Sequence, residues 1–161
     1  MAPKQNRGQS NQIVQTPQEL LEAIKKQFCV DEWMMDLAAN ETNSVAGLRF
    51  LGPGSPICED SFKYQWPSAG DCWLNQEFSD IEPWAARCFH LSQKREGRIF
   101  QLVPASTGAN WFQDYLDGQA HIVLLNPRVK FVGHTHPYPK DLALAIWSAV
   151  CGGYSTWRWK P

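Results

Sequence analysis

Three short apolar runs, each stopped by a polar or turn-forming residue, restrict most strongly how this chain can fold. Trp33-Met34-Met35 stops at Asp36, Cys72-Trp73-Leu74 stops at Asn75, and the run over 98–103 stops at Pro104. Runs this short and this apolar suit strands buried on both faces. Helical signals lie around them. Thr16 is a suitable N-cap and Pro17 suits a first turn, with Glu19 three residues after Thr16 and Leu20, Leu21, Ile24 and Phe28 following at helical spacing. A second helix is predicted over 81–91, with Pro83 in its first turn, and a third over 110–116. Further strands are predicted over 121–125, 129–132 and 142–147, the last two separated by a turn rich in Gly, His and Pro. Residues 37–43 read as a turn, 44–50 leaves a short helix open, and 52–56 is a loop.

This alternation predicts an α/β fold: a mainly parallel sheet with covering helices in three layers, and an antiparallel strand pair at one end. At 161 residues the chain is sized for one domain. Residues 1–12 are polar, carry Lys4 and Arg7, and read as a flexible arm. Residues 13–161 are expected to form a single domain.

Composition narrows the function. The net charge is −1 with 19% charged residues, so there is no global positive field, and a nucleic-acid partner would need local basic patches. Eight tryptophans are available for the core or for flat recognition surfaces. The five cysteines include no CxxC pair and read as reduced thiols rather than disulfides or zinc ligands. His134 and His136 share a turn without nearby Cys or a carboxylate cluster, so no metal is expected. No apolar run approaches the roughly 18 residues that span a bilayer. The first ten residues lack an apolar core, so a soluble, cytoplasmic protein without membrane partners is expected. Ser106 has no accompanying Ser-His-Asp pattern or nucleophile-elbow motif.

In open α/β sheets, ligands bind beyond the carboxyl ends of the strands. That rule selects Asp36, Asn75 and the 104–106 turn, although Asp36 and Asn75 could equally be cap or turn residues.

An ordered series of motifs over roughly 14–148 resembles the phage-type DNA N6-adenine methyltransferase family. It runs from Thr16-Pro17 through Asp36-Leu37-Ala38-Ala39 with Asn43, then Asp60 and Trp66, to Trp73-Leu74-Asn75-x-x-Phe78 and Ile81-x-Pro83-Trp84. It continues with Leu102-Val103-Pro104-Ala105, Trp111-Phe112 and Pro127-Arg128-Val129-Lys130-Phe131. The resemblance implies a small Rossmann-like methyltransferase fold, S-adenosylmethionine as cofactor, and methyl transfer to the N6 amine of adenine in DNA. It implies that Thr16, Pro17, Asp36, Ala38 and Asp60 bind the cofactor. It also implies that Asn75, Gln76, Glu77 and Phe78 stand where the family has Asn-Pro-Pro-Tyr/Phe.

The chemistry asks for those residue types. The exocyclic amine of adenine is a poor nucleophile because its lone pair is delocalised into the ring. An Asn side-chain oxygen and a main-chain carbonyl accept its hydrogens and favour the pyramidal form, while an aromatic ring stacks on the flipped base. Both tetrad prolines are replaced here, by Gln76 and Glu77. The Gln76 carbonyl remains available, but the stiffness of proline is lost, so other contacts must hold the loop. Glu77 can accept from the amine or repel DNA phosphates. A catalytically degenerate relative that binds DNA, S-adenosylmethionine or a host protein without turnover is the alternative.

Arg128 and Lys130 flank Val129 on the strand predicted there, and either meet phosphates or form a solvated edge. Trp157 and Arg158 read as part of a basic, aromatic terminal arm for DNA, or as cover for the sheet edge. No segment remains for a separate recognition domain, so recognition falls to the loops 52–58, 106–110 and 133–139, or to pairing of two copies in a homodimer. If the chain is phage-encoded, its setting is the bacterial host cytoplasm.

Overall fold

The computed structural model describes residues 14–150 and 152–161, so the arm predicted over 1–12 lies outside the described residues. Helix α1 is Gln18–Phe28 and buries Leu20, Leu21 and Ile24, the stripe that the spacing predicts. Its start differs from expectation. Pro17, in extended backbone, takes the N-cap position with no side-chain cap bond. The Thr16 hydroxyl faces Asn75 instead, accepting from its Nδ2 at 3.0 Å. The helix ends on Cys29 in the left-handed region, whose N–H closes on the Lys25 carbonyl.

The strands are β1 (Met35–Asp36), β2 (Cys72–Leu74), β3 (Ile99–Pro104), β4 (His121–Asn126), β5 (Leu142–Trp147) and β6 (Tyr154–Arg158). They form one mixed sheet in the order β1-β2-β3-β5-β4-β6. β1, β2 and β3 are parallel, β5 runs against both of its neighbours, and β6 is parallel to β4. The antiparallel element therefore lies inside the sheet, between β3 and β4, and not at one end. Every other strand points the same way, so their carboxyl ends share one edge.

Two more expectations are corrected. Residues 129–132 form no strand. Val129 and Phe131 are buried against one sheet face, and the main chain there bonds to Tyr138 and Gln15 rather than to a strand. The sequence predicts no strand over 154–158, and the terminal segment at Trp157 and Arg158, read from sequence either as an arm or as cover for the sheet edge, belongs to β6 on the edge beside β4. Four of its five residues are exposed, so no alternation of apolar and polar residues announced it.

Both sheet faces are covered. Trp73, Phe100, Leu102, Val123 and Leu144 pack with α1 and with Val129 and Phe131. Their strand neighbours Leu74, Ile99, Val103 and Ile122 pack on the other face with Ala85 and Cys88 of helix α2 (Glu82–Ser92), and with Phe112 and Leu116 of a π-helical turn, Phe112–Leu116. This alternation of side chains is what a two-sided buried sheet requires. Among the described residues, no helix is long and apolar enough to cross a membrane. Cys29, Cys58, Cys72 and Cys88 are free thiols, and burial pushes the Cys72 and Cys88 thiols up from their ordinary range.

Arg98 ties the amino ends of the sheet to α1. Its Nε and Nη2 donate to the two Asp71 oxygens at 2.8 and 2.6 Å, and Nη1 donates to the Phe28 carbonyl at 2.8 Å. The guanidinium also lies 4.9 Å from the Phe100 ring centre. Arg98→Ala should lower the unfolding free energy by about 2 kcal/mol in denaturant titrations. Arg98→Lys should recover little of it, because an ammonium cannot reproduce the planar fork.

Candidate active site

β1 and β2 end side by side, Asp36 opposite Trp73, and Leu37 N–H bonds to the Trp73 carbonyl at 2.9 Å. The chain after β1 turns back so that Leu51 N–H reaches the Asp36 carbonyl and Ala39 N–H reaches the Leu51 carbonyl, each at 2.9 Å. Gly52 lies where a Cβ would collide with the Ala39 carbonyl oxygen, and its φ of +138° is open to glycine alone. This close approach shapes one wall of a cleft of about 560 Å3. Ala38, Asn40 and Asn43 line it from the loop after β1, and Asn75, Gln76 and Glu77 from the end of β2.

The cleft has an acidic and aromatic character. Glu59, Asp60, Glu77 and Asp80 line it, and none of the described residues in its wall is Lys or Arg. Such a wall attracts a cation and repels phosphate. Phe62 and Trp84 supply flat surfaces in the same wall, with ring centres 4.5 Å apart. Arg87 braces them from behind, 4.5 Å from the Trp66 ring centre and donating to the Phe62 carbonyl at 2.8 Å. Asp60 is exposed, and its side chain accepts from Phe62 N–H, so it both opens the short 3-10 turn Ser61–Lys63 and faces the cleft.

Asn75 sits in the wall with its amide oriented. Nδ2 donates to the Val14 carbonyl and to Thr16 Oγ1, both at 3.0 Å. Oδ1 is buried and has no partner among the described residues. A buried acceptor without a donor is unfavourable in a resting fold, so the site is chemically suited to an incoming N–H.

Gln76 is 2% exposed, and its side chain runs into the core. Nε2 donates to the Leu102 carbonyl at 3.1 Å, while Oε1 accepts from Gln101 Nε2 at 2.9 Å. Gln101 Oε1 in turn accepts from Trp147 Nε1 at 2.9 Å. This chain of amides joins the end of β2 to β3 and β5 and holds the loop after β2. Glu77 is exposed at the rim. Phe78 is half-buried and packs edge-on against Tyr138 and Phe131, with ring centres at 5.5 and 6.4 Å. It is not among the residues lining the large cleft.

Of the other residues singled out from sequence, Ala38 and Asp60 line the cleft, and Thr16 and Asp36 lie beside it around a cavity of about 10 Å3. Pro17 is buried at the start of α1. Asp36 accepts from Ala38 N–H at 3.3 Å and Val45 N–H at 3.0 Å, pinning the loop after β1. Arg128 and Lys130 are exposed on either side of buried Val129, beyond the carboxyl end of β4 and so on the same sheet edge as Asn75. Arg128 Nε bonds to Asp141 at 2.8 Å. Trp157 packs edge-on against Phe28 at 5.5 Å, and Arg158 is exposed beside it. Sequence reasoning missed Phe62, Glu59 and Asp80. The carboxylates bracketing Asp60 and Asn75 were the available signal; Phe62 had none. Among the described residues, no group of three His, Cys, Asp or Glu side chains gathers as a metal site.

Two predictions follow from these buried polar groups. Burial raises the Asp36 carboxyl from 3.8 to about 7, against the pull of its bonds to Val45 and Ala38. A carboxyl whose pKa rises on folding takes up a proton as the chain folds, so stability falls as pH rises from 3.8 to about 7 and levels off above. Thermal melts across that window should show this slope, and Asp36→Asn should flatten it; an unchanged slope would assign the proton elsewhere. Gln101→Leu should cost ~2–4 kcal/mol in denaturant titrations, because it strands Gln76 Oε1 and Trp147 Nε1 in the core.

Residues 4–143 match the model of a family described as DNA N-6-adenine-methyltransferase (Dam). No curated protein matches the chain.

Proposed function

The chain belongs to the DNA N-6-adenine-methyltransferase family, and from that premise we propose that it transfers a methyl group from S-adenosylmethionine to the N6 amine of adenine in DNA. The observation that carries the proposal is the Asn75 amide. Its two N–H groups are committed to Val14 and Thr16, Oδ1 is buried with no partner among the described residues, and Asn75 lines a ligand-sized cleft.

The cleft fits the cofactor. S-adenosylmethionine supplies, when bound, an electrophilic methyl group on a positively charged sulfur. The carboxylates Glu59, Asp60, Glu77 and Asp80 favour a cation there, and Asp60 can accept from ribose hydroxyls. Phe62 and Trp84 offer stacking surfaces to the adenine ring of the cofactor. Ala38 and Asn43 line the cleft at the end of β1, and Asp36 and Thr16 lie beside it around the smaller cavity. The arrangement of strands and helices is that of a Rossmann-like methyltransferase in this reading.

Asn75 Oδ1 and the Gln76 main-chain carbonyl accept the two hydrogens of the target amine. That draws the nitrogen toward the pyramidal form in which its lone pair is free to attack. Glu77, at the rim, offers a carboxylate to the amine as its proton is released. Phe78, braced edge-on by Phe131 and Tyr138, provides the surface against which a flipped base stacks. Positioning and electrostatics suffice for this transfer. Acidic cleft walls repel phosphate, so the DNA backbone is placed along Arg128, Lys130, Trp157 and Arg158 rather than in the cleft.

The test is methyl transfer from labelled S-adenosylmethionine to mixed-sequence DNA, followed by nucleoside analysis. The label should appear in N6-methyladenine, and Asn75→Ala should reduce it by about 100-fold or more, the scale of losing a preorganised polar group at the reacting centre. Wild-type protein that methylates neither double- nor single-stranded DNA would sink the proposal. Cofactor binding without transfer would point to the degenerate alternative.

A further inference from the structure

The surroundings of Thr16 suit a role other than contact with the cofactor. Thr16 lines a cavity of about 10 Å3 and is absent from the wall of the 560 Å3 cleft. The smaller space is at the limit for one water molecule and admits no amino-acid moiety. Its hydroxyl oxygen instead meets Asn75 Nδ2.

We propose that the strap formed by residues 14–16 is the element that orients the catalytic amide, with Thr16 as its side-chain anchor and positioning residue. The orientation follows from donor and acceptor chemistry. The Val14 carbonyl can only accept, so the Asn75 atom 3.0 Å from it must be the nitrogen. Thr16 Oγ1 receives the second N–H at 3.0 Å. With both hydrogens held, Oδ1 is turned away from the strap and has no partner among the described residues. A flipped amide would set Oδ1 against the Val14 oxygen, two acceptors face to face.

The strap is held in turn. Val132 N–H donates to the Gln15 carbonyl at 3.0 Å, so the loop carrying Arg128 and Lys130 holds the strap between the two residues that bond Asn75. Pro17 follows, buried and with φ at −65°, and leads into α1. Lys160 beyond β6 bonds Glu19 in the first turn of α1 at 2.9 Å. The amide orientation thus depends on a segment 59 residues away from Asn75 in the chain.

This inference rests on the reading of Asn75 as acceptor for the target amine. The experiment compares wild type, Thr16→Val and Thr16→Ser by steady-state methylation, calorimetry with S-adenosylmethionine and the side-chain amide signals of Asn75 in 15N spectra, assigned by their loss in Asn75→Ala. Thermal melting confirms that each variant folds. Thr16→Val should lower kcat by about 10-fold, as one of the two anchors is lost. It should leave the cofactor Kd within about twofold, since no cofactor contact is removed. It should speed hydrogen exchange at the Asn75 amide, and Thr16→Ser should restore wild-type behaviour. A weakened cofactor Kd with kcat intact would overturn the proposal and make Thr16 a cofactor ligand. An unchanged kcat and Kd would overturn it also. If wild-type protein itself fails to methylate DNA, the functional reading falls, while the amide signals still decide the inference: unaltered Asn75 exchange in Thr16→Val rejects the anchor. Should Thr16→Val not fold, Thr16→Ala takes its place with the same readouts.

Discussion

Gln101 closes a hydrogen-bonded chain across the middle of the sheet, from Gln76 on one side to Trp147 on the other. All three side chains are buried, so each polar atom must find its partner inside the protein. The geometry of the site depends on that requirement. Asn75 precedes Gln76, and a residue whose neighbour is bolted through two hydrogen bonds to β3 has little freedom to move. The loop after β2 is stiffened by a side chain reaching inward.

A second set of contacts fixes the same residue from the opposite direction. The strap at 14–16 holds the Asn75 amide, and the strap is itself held by Val132. Asp36 does similar work for the facing wall, where its buried carboxyl ties the start and end of the loop after β1 through Ala38 and Val45. The cleft is therefore built from loops, yet its polar walls are braced from within the fold. Its charge is separated from that of the outer surface: carboxylates line the cleft, while Arg128 and Lys130 stand exposed along the same edge of the sheet. Under the proposed function, this separation would let a chain with almost no net charge hold a cationic cofactor in the cleft and meet a polyanion outside it.

The segments ending at Asn75 and Pro104 were legible as strands because burial on both faces leaves them little choice of residue, whereas the 33–35 run yields only the two-residue strand Met35–Asp36, with Met34 exposed. Helices at Gln18–Phe28 and Glu82–Ser92 were legible from their spacing and from Pro17 and Pro83 near their starts. The 129–132 segment was misread because Val129 and Phe131 alternate with exposed residues as a strand would, although their partners are side chains of the sheet face and not a neighbouring backbone. β6 escaped because an exposed edge strand carries no burial pattern. The place of β5 inside the sheet was hidden as well, since strand order depends on crossovers that leave no local mark.

The sequence by itself marked the strand ends where a ligand is expected, and its resemblance pointed to Asn75, Gln76 and Asp60, which line the cleft. Only the tertiary structure decided what their atoms do. It turned the Gln76 side chain into the core, faced Thr16 to Asn75, and left Asn75 Oδ1 without a partner among the described residues. The reason is physical. Position along a strand is set by local pattern, but the direction of an amide is set by donors and acceptors that arrive from segments 26 to 61 residues distant.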